Sequence, residues 1–192
     1  MPKSFSEQEK NNIKKILISS CKESWVKYGY KKTSIDELCE KAGISKGAFY
    51  IFYQSKEQLF CETIKAVQQD LYVLIEEILL EDQSKYGVVK ALKAIYAEYD
   101  KSPFLYNTSS VDFTSFINKL SNEERQDIFL DSFKGAKQMF DKPFLSLCIE
   151  EEKALSVLSS LLNTIEHKDK IIGNHHEVFN FMLESLIEKI FE

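Results

Sequence analysis

Apolar residues return at three- and four-residue steps along almost the whole of this 192-residue chain, which holds only three prolines and six glycines. That is the period of one face of a helix, and two-residue alternation is too scarce to build a sheet. The chain is therefore expected to be all-α, with about nine helices. Their starts are legible because a Ser or Asn side chain can accept a free N–H of the first turn. Ser6-x-x-Glu9 opens the first helix, whose stripe Ile13, Leu17, Cys21 and Trp25 stops at Gly29. Ser34-x-x-Glu37 opens a second that ends at Gly43, and Ser45 begins a third. Ser55-x-x-Gln58 starts a long fourth, with Leu59, Ile64, Val67, Leu71, Leu74 and Ile78 turned inward. After a turn at 81–84, a helix runs to about Tyr99. Ser102-Pro103, Ser121-x-x-Glu124, Pro143 and Asn174-x-x-Glu177 start the rest, the one from Pro143 running to about Glu166.

Charged residues make up 29% and hydrophobic ones 44% of the chain, the balance of a folded globular protein. No apolar run approaches the roughly 20 residues that cross a membrane, and the first residues lack the apolar centre of a signal peptide. A cytoplasmic protein with no membrane partner is expected. Cys21, Cys39, Cys61 and Cys148 form no Cys-x-x-Cys pair and lack zinc-ligand spacing. They read as small hydrophobic filler rather than as disulfides or metal ligands.

The net charge of −5 conceals an asymmetry. Residues 1–60 hold 11 lysines against 7 acidic residues, a balance of +4, and the remainder hold 14 basic against 23 acidic residues, a balance of −9. A basic head on an acidic body suits a module that faces phosphate joined to one that avoids it. Within the head, residues 33–56 read as two short helices joined by a tight turn at Gly43. Such a helix-turn-helix offers its second helix to the major groove of double-stranded DNA. On that helix Phe49, Phe52 and Tyr53 fall on the inner face, and Lys46, Gly47, Tyr50 and Ile51 on the outer one. Gly47 is costly inside a helix unless a phosphate or base edge must approach its backbone closely. Tyr50 can give its hydroxyl to a phosphate, and Lys46 can reach a phosphate or a guanine edge. The hydroxyls and N–H groups of Thr33 and Ser34 form an anion site at a helix start, and Lys56 can hold a further phosphate. Taken singly, each hydroxyl reads as a helix cap; their order is the specific feature.

Gly29-Tyr30, Thr33-Ser34, Ala42-Gly43-Ile44-Ser45-Lys46-Gly47, Tyr50 and Ser55-Lys56-Glu57-x-Leu59 together resemble the TetR family of bacterial transcriptional regulators, over about Ile13 to Phe60. The resemblance implies an N-terminal three-helix helix-turn-helix DNA-binding domain, residues 1–54, and a C-terminal helical ligand-binding and dimerisation domain, residues 55–192. It implies a homodimer whose third helices enter successive major grooves of operator DNA. The DNA-contact roles carry over to Thr33, Ser34, Ser45, Lys46, Gly47, Ala48, Tyr50 and Lys56. Ile51 stands where the family often has histidine, so a thymine methyl contact or plain packing replaces a hydrogen bond there. Arg125 is the single arginine against 24 lysines, which leaves base reading to Lys46, hydroxyls, apolar contacts and DNA shape. An A·T-rich palindromic operator is one expectation from this usage; lysine that merely follows genome composition is the other.

Between Tyr96 and Phe116 the residues Tyr96, Tyr99, Phe104, Tyr106, Phe113 and Phe116 mix with Asp112. The mixture suits an effector pocket, apolar with a few polar groups, as well as it suits ordinary core. Leu155, Leu158, Leu162 and Ile165 form one late stripe, and Phe179, Met182, Leu183, Leu186 and Ile190 another, with Val178, Phe181 and Phe191 outside it. Helices apolar on more than one face need a second partner, and pairing with a symmetry mate would make a four-helix dimer interface. Full burial in one chain is the alternative. His167, His175 and His176 read as solvated cap residues rather than metal ligands. No nucleophile–base set is apparent, so neither catalysis nor a cofactor is expected. The leading expectation is a homodimeric repressor released from a palindromic operator by a largely apolar small-molecule effector. A DNA-binding architectural or cell-division factor without such an effector is the alternative, and a helical enzyme with an incidental hairpin is a third.

Overall fold

The computed structural model describes residues 5–102 and 107–192. Its elements, in order, are α1 (Glu7–Lys32), α2 (Ile35–Lys41), α3 (Lys46–Phe52), α4 (Lys56–Glu81), α5 (Lys85–Lys101), α6 (Val111–Ile117), α7 (Asn122–Phe140), α8 (Glu151–Leu162), a 3-10 run (Asn163–Lys170) and α9 (His175–Ile190). The protein is all-α; among the described residues the one β contact is an isolated bridge between Leu147 and Phe191. Ser6, Ser45, Ser55 and Ser121 each accept an N–H of the turn they open, and Asn174 accepts from His176 and Glu177. Among the described residues, no helix is long and apolar enough to cross a membrane.

Two of these starts and stops differ from expectation. The regular part of α1 breaks at Gly29, whose φ of +79° is left-handed, and one more turn follows to Lys32. Pro143 opens no helix. Residues 143–150 instead form a turn and an extended run, in which Cys148 N–H donates to Ile190 O and Glu192 N–H to Ser146 O. That run closes the end of α9, and α8 begins only at Glu151. The start expected at Ser102-Pro103 falls on residues outside the described ones; α6 itself is capped by Ser110.

Two apolar clusters hold the chain together. The first joins α1, α2, α3 and the amino-terminal half of α4 to Phe113, Phe116, Leu120 and Ile128. Its centre is aromatic: the Trp25 ring lies 4.5 Å from Phe60 and 5.3 Å from Phe116, and Tyr30 lies 5.0 Å from Phe60. Rings of this size dominate the burial of a small core, and tilted or edge-on pairs add about 0.5–1.5 kcal/mol each. The second cluster joins Leu79 at the far end of α4 to α5, α7, α8 and α9. α4 therefore runs through both, about 39 Å at helical rise, and a chain cut after residue 54 would strip the head of Leu59, Phe60, Ile64 and all of α6.

The filler reading of the cysteines can be checked directly. Cys21, Cys39 and Cys61 are buried as filler, whereas Cys148 is exposed, so that reading fails for it. Burial pushes the Cys21 and Cys61 thiols up to about 12, so neither ionises near neutral pH. A thiol reagent at pH 8 should modify one of the four cysteines quickly, and Cys148→Ser should remove that phase. Fast reaction of two or more would contradict this core.

Candidate nucleic-acid interface and effector cavity

The turn between α2 and α3 is set by backbone chemistry. Gly43 has a φ of +66°; its N–H donates to Glu40 O, and Ile44 N–H donates to Cys39 O. This is the paired closure that a glycine just past a helix end provides. Ser45 then caps α3 through Ala48 N–H, and Phe49, fully buried, fixes the helix rotation. The outer face that results carries Lys46, Gly47, Tyr50 and Ile51, with Tyr50 52% and Ile51 61% exposed. Ser45 is also exposed and Ala48 is partly covered. A Cβ added at Gly47 would meet nothing closer than Ser45 Oγ at 3.8 Å, so nothing within the chain requires glycine at that place. Lys46 donates to Asp36 at 3.0 Å, and that bond holds its ammonium above the ordinary range. Both partners are exposed, so the pair is weak and easily exchanged for a phosphate.

Two residues expected at phosphate make bonds within the chain. Thr33 is 3% exposed; its hydroxyl and its N–H both donate to Gly29 O, closing the end of α1. The Lys56 ammonium donates to Tyr30 O and lies 4.4 Å over the Tyr30 ring. Burial pulls it below its ordinary range. A buried acceptor and a ring face compete with solvent-side phosphate, which a sequence pattern alone cannot reveal. Ser34, by contrast, makes no side-chain cap bond and sits half-exposed at the start of α2. The exposed Lys31 and Lys32, passed over in the motif, flank it.

The head is tied to the body at the same place. Tyr30 N–H donates to Asp112 Oδ2 at 2.6 Å, and Lys31 N–H to Oδ1 at 3.1 Å. A Cβ on Gly29 would sit 2.7 Å from that carboxylate, so only glycine admits it. The Tyr30 hydroxyl donates to Glu57, which Lys119 approaches at 3.4 Å. Burial opposes the charge on Glu57, yet these two partners hold its carboxyl below the ordinary range. Asp112 is thus a structural acceptor rather than a pocket group. Phe113 and Phe116 pack on Trp25 for the same reason: α6 turns toward α1.

A cavity of about 480 Å³ lies elsewhere, between α4, α5, α7 and α8. Of the expected pocket residues, Tyr99 lines it; Tyr96 instead stacks on Phe179 at 3.8 Å, and Phe104 and Tyr106 lie outside the described residues. Its wall is apolar (Leu71, Ile75, Leu92, Met139), with Lys65, Gln68 and Gln138 supplying polar groups. The signal available in the sequence was the run Gln68-Gln69-x-x-Tyr72 interrupting the apolar stripe of α4.

Leu155, Leu158 and Leu162, expected at a dimer interface, line this cavity. Phe179, Leu183 and Ile190 are buried in the same chain, with Met182 and Leu186 partly buried against them. An apolar stripe does not announce which of two faces meets its own core. What α9 leaves outside is Phe181, 75% exposed, beside half-buried Val178 and Met182. His175 and His176 are not free caps either, since both face Asp100.

Residues 17–63 match the family model described as bacterial regulatory proteins, tetR family. The HTH-type transcriptional regulator QacR of Staphylococcus aureus is 26% identical over 129 residues, 58% of this chain and 64% of its own length. The Transposon Tn10 TetC protein of Escherichia coli is 33% identical over 85 residues, covering 43% and 40% of the two chains. The chain spans 35% to 64% of the length of the first curated relatives it matches. In fold, it is similar over 92% of its length to the transcriptional regulator FadR from Bacillus subtilis in complex with stearoyl-CoA, covering 98% of that chain at a TM-score of 0.69 and 16% identity.

The tie at Asp112 has a measurable weight. Asp112→Ala leaves two N–H groups without their acceptor, one on the buried Tyr30, and should lower the thermal midpoint by about 3–8 °C in calorimetry. An unchanged midpoint would remove Asp112 from the connection between head and body.

Proposed function

We propose that this chain, which belongs to the TetR family of bacterial transcriptional regulators and not to a family of enzymes, is a cytoplasmic homodimeric repressor that releases its operator when a small molecule fills the cavity beside α4. The observation that carries the reading is the outer face of α3, where Lys46, Gly47, Tyr50 and Ile51 stand exposed on a helix whose inner face is locked by Phe49. Two such helices, one from each protomer, would enter major grooves about 34 Å apart, one turn of the duplex. We assign Ser34, Ser45 and Ala48 to the same DNA contact, with Thr33 and Lys56 bonded within the chain to Gly29 O and Tyr30 O.

The dimer face we assign is the outer side of α9. Val178, Phe181 and Met182 share it at helical spacing, and an exposed phenylalanine is a natural centre for a self-complementary contact. The effector we assign is an amphiphile, its apolar part against Leu71, Leu92 and Met139 and its polar part near Lys65, Gln68 and Gln138. A volume of about 480 Å³ falls among those of small-molecule sites. That the similar fold of FadR is seen in complex with stearoyl-CoA supports an effector with an apolar tail. Because α4 supplies both a cavity wall and the Phe60 contact of the head, a tilt of α4 is the simplest route from effector to DNA. An effector that binds the released state about a hundredfold better contributes about 2.7 kcal/mol of coupling.

On a duplex enriched from random sequence, Tyr50→Phe and Lys46→Ala should each weaken binding about tenfold or more, Lys46→Ala also lowering the salt slope by about 1, with the dimer intact in sedimentation. Normal binding by both variants would mean that α3 is not the reading helix. Phe181→Glu should give monomers; a dimer that survives it places the interface elsewhere.

A further inference from the structure

Asp100 on the last turn of α5 meets His175 and His176 on the first turn of α9, with one ligand atom from each lying within 4.8 Å of the others. Asp100 Oδ2 is 3.0 Å from His176 Nε2 and 3.7 Å from His175 Nε2, and the two imidazole rings are 4.3 Å apart. All three side chains are half-buried. This trio belongs neither to the reading face nor to the cavity.

A plain hydrogen bond accounts for only part of the arrangement. At 3.7 Å, His175 Nε2 is beyond hydrogen-bond reach of the oxygen that it faces. Both imidazoles nevertheless point toward one carboxylate oxygen. Around a tetrahedral ion with ligands at 2.0–2.2 Å, neighbouring donor atoms stand about 3.3–3.6 Å apart, and the two observed separations bracket that spacing. The partners behind the trio also match what metal ligands need. The Tyr96 hydroxyl lies 3.3 Å from His175 Nδ1, which leaves Nε2 directed at Asp100. The Lys168 ammonium holds Asp100 Oδ1, so the carboxylate offers its other oxygen singly.

We propose that Asp100, His175 and His176 form a binding site for a divalent transition-metal ion of the zinc type. Two imidazoles and a carboxylate are donors that such ions favour over magnesium or calcium. Three protein ligands leave the remaining position to water or to an added donor. The ion clamps the start of α9 onto the end of α5, next to Tyr99 of the cavity wall, and so fixes the helix that carries Phe181. Lys168 works against the ion through its charge while orienting the carboxylate, which keeps the affinity moderate.

The test uses the full chain carrying Cys148→Ser, to remove the exposed thiol as a rival ligand, after treatment with a chelator. Titration calorimetry with zinc chloride should give one ion per chain at a micromolar or tighter Kd, and cobalt should produce visible absorption bands. Saturating zinc should raise the thermal midpoint by about 5 °C. His175→Ala and His176→Ala should each weaken binding tenfold or more, their combination should abolish the midpoint shift, and His167→Ala should change neither. Circular dichroism checks the folding of each variant, and Asp100→Asn replaces the double variant if that one is unfolded. Absence of stoichiometric binding would overturn the site, as would equal binding by the folded double variant or by Asp100→Asn.

Discussion

The end of α1 is held by a carboxylate from the other half of the chain. Asp112 accepts the N–H groups of Tyr30 and Lys31, in a space that exists because residue 29 has no side chain. From there the position of everything in the reading head follows. Thr33 folds back on Gly29 O, which sets where α2 begins; Gly43 sets the turn; Phe49 sets which residues of α3 face outward. Around the carboxylate, Trp25, Tyr30, Phe60 and Phe116 pack three helices into one aromatic centre. Low local dielectric strengthens such bonds, and it also makes them expensive to lose.

Because of that tie, head and body do not meet across a simple hinge. α4 passes from the aromatic centre to the cavity wall, and α6 leans on α1 rather than on the cavity. A ligand that pushes on Leu71 or Tyr72 therefore acts on a rod whose other end is Phe60. Packed interiors resist continuous deformation, so the natural response is a switch between two discrete arrangements. The metal site proposed at Asp100 joins α5 to α9 rather than to α4.

The local elements were largely legible in the sequence. Ser6, Ser45, Ser55 and Ser121 announced their helices because a cap is a local bond, made within one turn of the residue that forms it. The turn at Gly43 was legible for the same reason. What the sequence hid were choices between partners of equal chemistry. Thr33 and Lys56 read as phosphate ligands, and the sequence does not show that Gly29 O and Tyr30 O, both internal, also accept from them. Leu155 and Phe179 look like interface until their own core is seen to cover them. Asp112 and the Asp100–His175–His176 trio join residues more than 70 positions apart, which no periodicity records. The Pro143 start failed because an extended run there closes α9 instead.

The claim that reading head and cavity form one coupled unit is open to a direct measurement: amide hydrogen exchange of the full chain with and without an enriched operator duplex. Coupling is reciprocal, so DNA must alter the cavity if an effector there alters DNA binding. The expected result is slowed exchange across 35–52 together with changed exchange in the α4 wall at 65–75. Slowed exchange confined to the head, with 65–75 unchanged, would contradict the coupling.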